Sequence, residues 1–395
     1  MSHGALEGIR ILDFTWLLAG PYATRTLADF GAEVIKVQTG NMATGAESNS
    51  TGYFNTWNRN KLGITLNMAH PEGRKLALRL VAICDILVEN FTPRVMAQWG
   101  LDYPALRQMK PDIIMVSLSG FGQTGPWRDF AALGPTIQAL SGMTHLTSSG
   151  NSPPEGIGYS YADSLSGMFA AYAVLAALEY RTRTGQGLYI DMSEYEALCC
   201  LLGPALLDYS INGTVAGPEG NTDSTLTAAP HGCYKCQGED RWCVIAVFTD
   251  AEWHAFCRVM GNPAWTEQER FASLHQRHQH AGELDRMVEQ WTANYTPEQV
   301  MSLLQEAGVP AGVVSSSADL ASDPQLNRRG FFVNARHPRL GTTSFDRTPI
   351  RLSRTPAESW KAAPLLGQHN RYVYQELLGI SVEEYQDYVN RGVIA

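Results

Sequence analysis

The sequence predicts an α/β protein, with a large doubly wound domain built on a parallel sheet and a smaller α+β domain. Three observations carry that expectation. Through the first half, short β-branched runs alternate with amphipathic helical patterns, as in a parallel sheet covered by helices. The chain has 395 residues, 44% of them hydrophobic, whereas single cores stop growing near roughly 250 to 300 residues. Between residues 213 and 224 the composition turns to Gly, Pro, Asn and Thr, which marks a crossing between domains.

In order, Ile9 to Phe14 reads as a strand, Pro21 to Phe30 as a helix with Pro in its first turn, and Glu33 to Gln38 as the next strand. Pro71 to Cys84 is an amphipathic helix that leads into the strand Asp85 to Asn90, and Leu106 to Lys110 closes a helix before the strand Ile113 to Ser119. These units make a Rossmann-like domain. An apolar helix follows Asp163, then a turn at Thr184 to Gly187, a strand Leu188 to Met192 and a long helix from Ser193. The smaller domain holds strands at Trp242 to Phe248 and Ala311 to Val314, with helices at Glu252 to Met260, Glu283 to Tyr295 and Pro297 to Ala307. The tail from Phe331 has short strands and a helix. The expected division is 1–224 for the large domain, completed by 325–395, and 225–324 for the small one. No internal repeat is visible.

Composition narrows the function. Thirty Lys and Arg against 39 Asp and Glu give a net charge of −9, which argues against a nucleic-acid partner, since that needs a basic face. The N-terminus lacks the basic, apolar and small-residue order of a signal peptide. The longest apolar stretch, Gly167 to Leu178, is too short to cross a bilayer and reads as a buried helix without membrane partners. Seven cysteines without regular spacing give no disulfide framework, so free thiols and a cytoplasmic location are expected. Cys233 and Cys236 form a lone CxxC that Cys243 and His231 complete poorly as a zinc site. His275, His278 and His280 lie in a polar stretch and read as a solvated face. No metal is expected.

In doubly wound sheets ligands bind beyond the carboxyl ends of the strands. Those positions here are Thr15 to Gly20, Thr39-Gly40, Asn90-Phe91 and Gly120-Phe121-Gly122. Their glycines do not form the dinucleotide fingerprint, which disfavours a nicotinamide dehydrogenase. Asp163, at the head of the most apolar helix, has two readings. It is an N-cap whose carboxylate accepts the first free amides, or it is a nucleophile kept ionised by the helix terminus. Gly167, one turn on, permits a close approach. Residue physics alone leaves both readings open.

The runs Leu6-Glu7-Gly8-Ile9-Arg10-Ile11-Leu12-Asp13-Phe14, Ala19-Gly20-Pro21, Leu27-Ala28-Asp29 and Gly31-Ala32-Glu33-Val34-Ile35-Lys36-Val37 open a longer pattern. It continues through Asn58-Arg59-Asn60-Lys61, Leu87 to Phe91, Gly120 to Pro126 and, more loosely, Ala229-Pro230-His231-Gly232. It persists to Gly308 to Gly312, Asp323 to Leu326 and Ala363 to His369. This pattern resembles the class III CoA-transferases, of the formyl-CoA transferase and carnitine CoA-transferase type, over essentially the whole chain. The resemblance implies that Asp163, within Asp-Ser-x-x-Gly-Met, is the nucleophile that passes CoA from an acyl-CoA donor to a carboxylic acid acceptor. The carboxylate would carry a mixed anhydride and then an aspartyl-CoA thioester. Coenzyme A thioester is then a co-substrate, and no cofactor is tightly bound.

The resemblance also assigns CoA contacts to Trp16, Leu17, Leu18 and Ala19, to Leu66, Asn90 and Phe91, and to Thr39, Arg94 and Gln98. Formyl-CoA transferase is basic where this chain has Thr39, Gln98 and Ala132, so the CoA phosphates fall to Arg59, Lys61 or Arg94. A glutamine near its reacting carboxylate is Leu18 here, and its glycine-rich loop has only Gly217 to Gly220 as a counterpart. Formate and oxalate are therefore poor substrates. Aromatic content of 10%, with Trp16, Tyr161 and Trp57 near the site, points to a dicarboxylic or aryl acid. Acyl-CoA racemases share the resemblance but need a histidine where this chain has Leu133, and His145 does not replace it. A CoA-binding subunit without activity would lack the nucleophile that Asp163 supplies. The resemblance further implies an interlocked homodimer, or the active half of a heteromer with a related subunit.

Overall fold

The computed structural model describes residues 4–40, 44–149, 153–218, 220–221 and 227–394. Contacts divide the chain into two compact units. One comprises Met1–Thr144, Gly156–Val215 and Arg328–Ala395, the other His145–Glu155 and Ala216–Asn327. The expected crossing therefore falls at Val215 and Ala216, and the stretch His145–Glu155 groups with the smaller unit. The expected boundary at residues 224 and 225 lies outside the described residues.

The larger unit runs β1 (Arg10–Asp13), α1 (Ala19–Asp29), β2 (Glu33–Gln38), α2 (Gly52–Asn58), β3 (Leu62–Thr65), α3 (Pro71–Ala82) and β4 (Ile86–Glu89). It continues with α4 (Arg94–Trp99), α5 (Tyr103–Met109), β5 (Ile114–Ser119), α6 (Gly134–Leu140), α7 (Met143–Leu146), α8 (Tyr161–Thr184), β6 (Tyr189–Ser193), α9 (Glu194–Cys199) and α10 (Gly203–Asn212). All six strands are parallel in the order β3-β2-β1-β4-β5-β6. This is the doubly wound order whose reversal, between β1 and β4, opens a crevice for ligands. Strand β3 was not expected, because Leu-Gly-Ile-Thr is short and carries a glycine.

The sheet is covered on both faces, so its strands are near-continuous apolar runs. Alternate residues serve opposite cores. Leu12, Ile35, Ile64 and Leu87 pack against Leu76, Leu80, Val373 and Tyr374, while Ile11, Val34, Ile86 and Val116 pack against Ala23 and Leu27 of α1 and Ala170, Val174 and Ala177 of α8. The tail returns to the rim of β3, where Tyr374 Oη donates to Thr65 O at 2.7 Å and the Thr65 amide donates to Asn370 Oδ1 at 2.9 Å. Its strands, Phe332–His337 and Gly341–Asp346, form an antiparallel hairpin.

Helix α8 differs from its expected form. The apolar stretch extends in both directions into 24 residues, long and apolar enough by length and composition to cross a membrane. One face packs on α1 and the sheet, yet Met168, Phe169, Tyr172 and Leu175 on the other are exposed in the single chain. The helix expected from Ser193 is broken at a 3-10 turn, Cys200–Leu202, with Pro204 opening α10.

In the smaller unit, β7 (His231–Lys235), β8 (Trp242–Ala246) and β9 (Ala311–Val313) form an antiparallel sheet. Tyr234, Cys243 and Ile245 share its core with Trp253 and Phe256, and with Leu284, Val288, Val300 and Leu304. Arg277 is fully buried over the Trp253 ring at 4.8 Å and donates to the Ala229 and Phe271 carbonyls.

Candidate active site

The loop after β1 is fixed by buried polar groups. The Asp13 carboxylate accepts from the Thr15 amide at 2.8 Å, from the Thr24 hydroxyl at 2.7 Å and from Lys61 Nζ at 3.0 Å. Lys36 donates to the Thr15 carbonyl. Burial alone would raise the Asp13 pKa, but Lys61 and Lys36 outweigh it and hold the group below the usual carboxylate range. Burial likewise pushes Lys61 down to about 7 against the pull of Asp13. Lys61 also donates to the Pro21 carbonyl and Asn58 Oδ1. Arg59 is equally buried and bonds to both oxygens of Asp29, at 3.1 and 2.6 Å. Both cations are consumed inside the protein, which corrects their assignment to CoA phosphates.

Asn90, after β4, spends its whole amide on the same loop. Its Oδ1 accepts from the Trp16 amide and its Nδ2 donates to the Trp16 carbonyl, each at 2.9 Å. Glu89 accepts from the Phe91 amide at 2.8 Å. Burial raises Glu89 to about 7 despite bonds from Ser117 and Phe91. The Leu17 amide donates to buried Glu47 at 2.9 Å, and Leu17 itself has a φ of 61°. That left-handed conformation costs roughly 1 to 2 kcal/mol for a residue with a side chain, and these anchors hold it.

The loop separates two cavities at the switch point. One, of about 370 Å³, is lined by Phe14, Trp16, Thr39, Leu66, Met68, Phe91 and Trp99 among others, with Lys36, Gln38 and Glu47 at its polar side. The Phe91 and Trp99 rings meet edge to face at 5.3 Å, giving an apolar slot that suits a planar ring and an aliphatic arm. The other, of about 330 Å³, is lined by Leu17, Asn90, Arg128, Leu133, Asp163 and Glu194, among others. Trp16 and Phe91 border both.

Asp163 is not the N-cap. Ser160 holds that position, and Asp163 lies three residues on, in the first turn of α8. Its Oδ2 is buried without a hydrogen-bond partner. Burial raises its pKa, while the Ser160 hydroxyl, its own backbone amide and the Ala19 amide pull the other way. Its negative charge reaches Tyr53, which burial and Asp163 together push up to about 12. Gly134 makes room for the carboxylate: a Cβ there would collide with Asp163 Oδ2 and lie 2.7 Å from Ser160 Oγ. Gly167 does the same for helix packing, since its Cβ would lie 2.6 Å from the Ala19 carbonyl. The site thus offers a desolvated carboxylate at a helix N-terminus, open to a cavity, as a nucleophile requires.

The structure brings Trp16, Leu17, Asn90, Phe91 and Asp163 to one cavity and Thr39 and Leu66 to its neighbour. Leu18 and Ala19 line neither; both are buried, and they serve to start α1. Arg94 and Gln98 also line neither, being exposed on α4, where Arg94 pairs with Asp129 at 2.9 Å. Trp57 is buried against Tyr22 and Arg25 rather than at the site, and Tyr161 lines neither cavity. Sequence reasoning passed over Glu194, Gly134 and Glu47. Glu194 directly follows β6, and the rule that weighted the other strand ends applies there too. The counterpart loop Gly217 to Gly220 contains Glu219, outside the described residues.

Comparison with known proteins agrees with this architecture. The family model described as CoA-transferase family III matches residues 6–370. The chain is 36% identical to the succinyl-CoA–D-citramalate CoA-transferase of Chloroflexus aurantiacus, over 96% of this chain and 95% of that one. It is 32% identical to the succinyl-CoA:glutarate CoA-transferase of Mus musculus, over 100% and 91%. A crystal structure of a CAIB/BAIF family protein from Brucella suis superposes with a TM-score of 0.88 at 30% identity, covering 95% of this chain and all of that one. The parallel six-stranded sheet, the site at its switch point and the matches along nearly the whole chain lead to one assignment: the chain belongs to CoA-transferase family III.

Proposed function

We propose that this protein transfers CoA from succinyl-CoA to a second dicarboxylic acid, with Asp163 as covalent carrier. The observation that carries the mechanism is the Asp163 carboxylate, with one oxygen buried and unpartnered, lining a cavity that shares Trp16 and Phe91 with an apolar slot. An Asp163 oxygen adds to the thioester carbonyl carbon, the C–S bond breaks and the thiolate leaves, giving a mixed anhydride. The thiolate then attacks the Asp163 carbonyl carbon, the anhydride C–O bond breaks and the first acid departs as its carboxylate. The second carboxylate attacks the aspartyl thioester, and the same steps in reverse free Asp163. No net proton is consumed. The slot is assigned to the adenine and pantetheine arm of CoA, with Asn90 acting through the loop that it clamps.

The named relatives support the substrate class, since their names pair succinyl-CoA with citramalate or glutarate. Leu133 stands in the Asp163 cavity where a racemase would need its histidine, and an alkyl side chain cannot take an α-proton. We also propose a dimer. The exposed apolar residues on α8, with Leu206, Leu207, Tyr209 and Ile211 on α10, suit burial against a second chain, as exposed apolar surface often marks association. Relatives in Chloroflexus aurantiacus are named as α and β subunits of a succinyl-CoA–L-malate CoA-transferase, so the second chain is either a copy or a related subunit. Seven unpaired thiols support a reducing, cytoplasmic setting.

The test is trapping. After incubation with succinyl-CoA and then hydroxylamine, mass spectrometry should find the modification on Asp163 and lose it in Asp163→Ala. A modification on another residue, or full transfer by Asp163→Ala, would sink the mechanism.

A further inference from the structure

We propose that Glu194 holds the reacting carboxylate of the acid substrate beside Asp163, donating to it a hydrogen bond from its carboxyl group. This rests on the reading of Asp163 as carrier. In each direction of transfer a second carboxylate must come against the Asp163 carbonyl, inside a cavity that already contains one carboxylate. Among the described residues lining that cavity the only cation is Arg128, and it is half exposed and lies 3.5 Å from Asp129. An anion at the buried end therefore needs another donor.

Glu194 fits that need by position. It follows β6 as the first residue of α9, lines the Asp163 cavity and is only 8% exposed. Ser193 caps the helix through the Glu196 amide, and no hydrogen bond or ion pair to the Glu194 carboxyl occurs among the described residues. Ionised and unpartnered, such a group would forgo the solvation its charge needs, so it stays protonated. As a neutral acid it is a donor without an acceptor. The surrounding groups agree. Helix α8 presents Asp163, and α6 carries no titratable side chain. On β6, Asp191 is tied to the Gln123 amide, and Glu196 on α9 itself is exposed. Burial first, and then the Asp163 charge, push Glu194 up to about 8. One oxygen of the substrate carboxylate accepts the Glu194 proton in a hydrogen bond, and the other remains free to attack the aspartyl thioester. The proton stays on Glu194.

The experiment is exchange between succinyl-CoA and isotopically labelled succinate from pH 6 to 10. In the wild type, KM for succinate should climb about tenfold per pH unit above pH 8, as the donor is lost, while KM for succinyl-CoA stays flat. Glu194→Gln keeps an N–H donor that cannot ionise, so KM for succinate should remain within threefold of the neutral wild type and lose the alkaline rise. Glu194→Leu should raise KM for succinate at least tenfold at pH 7 with KM for succinyl-CoA within twofold. A wild-type succinate KM in Glu194→Leu, or an alkaline rise that persists in Glu194→Gln, overturns the proposal. Asp163 trapping in the same samples separates the two readings: an unlabelled wild type removes the carrier role, and a labelled one with unmoved KM values removes only Glu194.

Discussion

Two groups of buried charges lie on either side of the Trp16 loop, and they are built on opposite terms. Asp13, Lys36 and Lys61 all have partners, and their bonds go to backbone, to neighbouring polar side chains or to one another. Glu194 is nearly as secluded and Asp163 is half-buried, yet the buried Asp163 Oδ2 has no partner and the Glu194 carboxyl has no bond among the described residues. Seclusion alone therefore does not mark chemistry. What separates the scaffold from the proposed reactive site is whether the bonding capacity is already used.

The contrast breaks most sharply at its two centres. Asp163→Ala should lower transfer by about 10⁴-fold or more and leave the thermal transition near that of the wild type, as circular dichroism would register. Lys61→Met should do the reverse in kind, costing about 3 to 5 kcal/mol in denaturant unfolding because Asp13 loses its closest ion pair. Asn90→Ala, which frees the Trp16 backbone on both sides, should raise KM for succinyl-CoA about tenfold and cost about 1 to 2 kcal/mol, from two lost bonds.

The smallest effect concerns stability against pH. Glu194 has a folded pKa above its unfolded value, so the folded state binds the extra proton and stability falls as pH rises from about 4.5 to about 8. Glu194→Gln should therefore match the wild type in melting temperature at pH 4 and exceed it at pH 9. Equal curves at both pH values would show that Glu194 is ionised in the native protein, and the contrast between the two charge groups would lose one member.

The sequence displayed the sheet well because parallel strands buried on both faces leave near-continuous apolar runs, as at Ile113 to Val116 and Ile86 to Val88. Strand β3 escaped because its length and glycine speak against a strand, and its neighbours on the tail are some 300 residues away. Asp163 was legible as a helix-start acid, but its offset from the cap depends on where Ser160 ends the preceding chain. Arg59 and Lys61 read as available cations because charge is visible in a sequence and pairing is not. Glu194 was hidden for the same reason, since nothing local distinguishes a solvated acid from one sealed beside another acid by folding.

Trp16 has a consequence beyond its place in either cavity. On the proposed reading, its indole and the Phe91 ring together are the partition between the compartment for the carrier molecule and the chamber for the cargo. Residues on the chamber side, such as Leu133 and Arg128, can then change which acid is accepted without loosening the grip on the handle that every substrate shares. A protein partitioned in this way can diversify its chemistry one wall at a time.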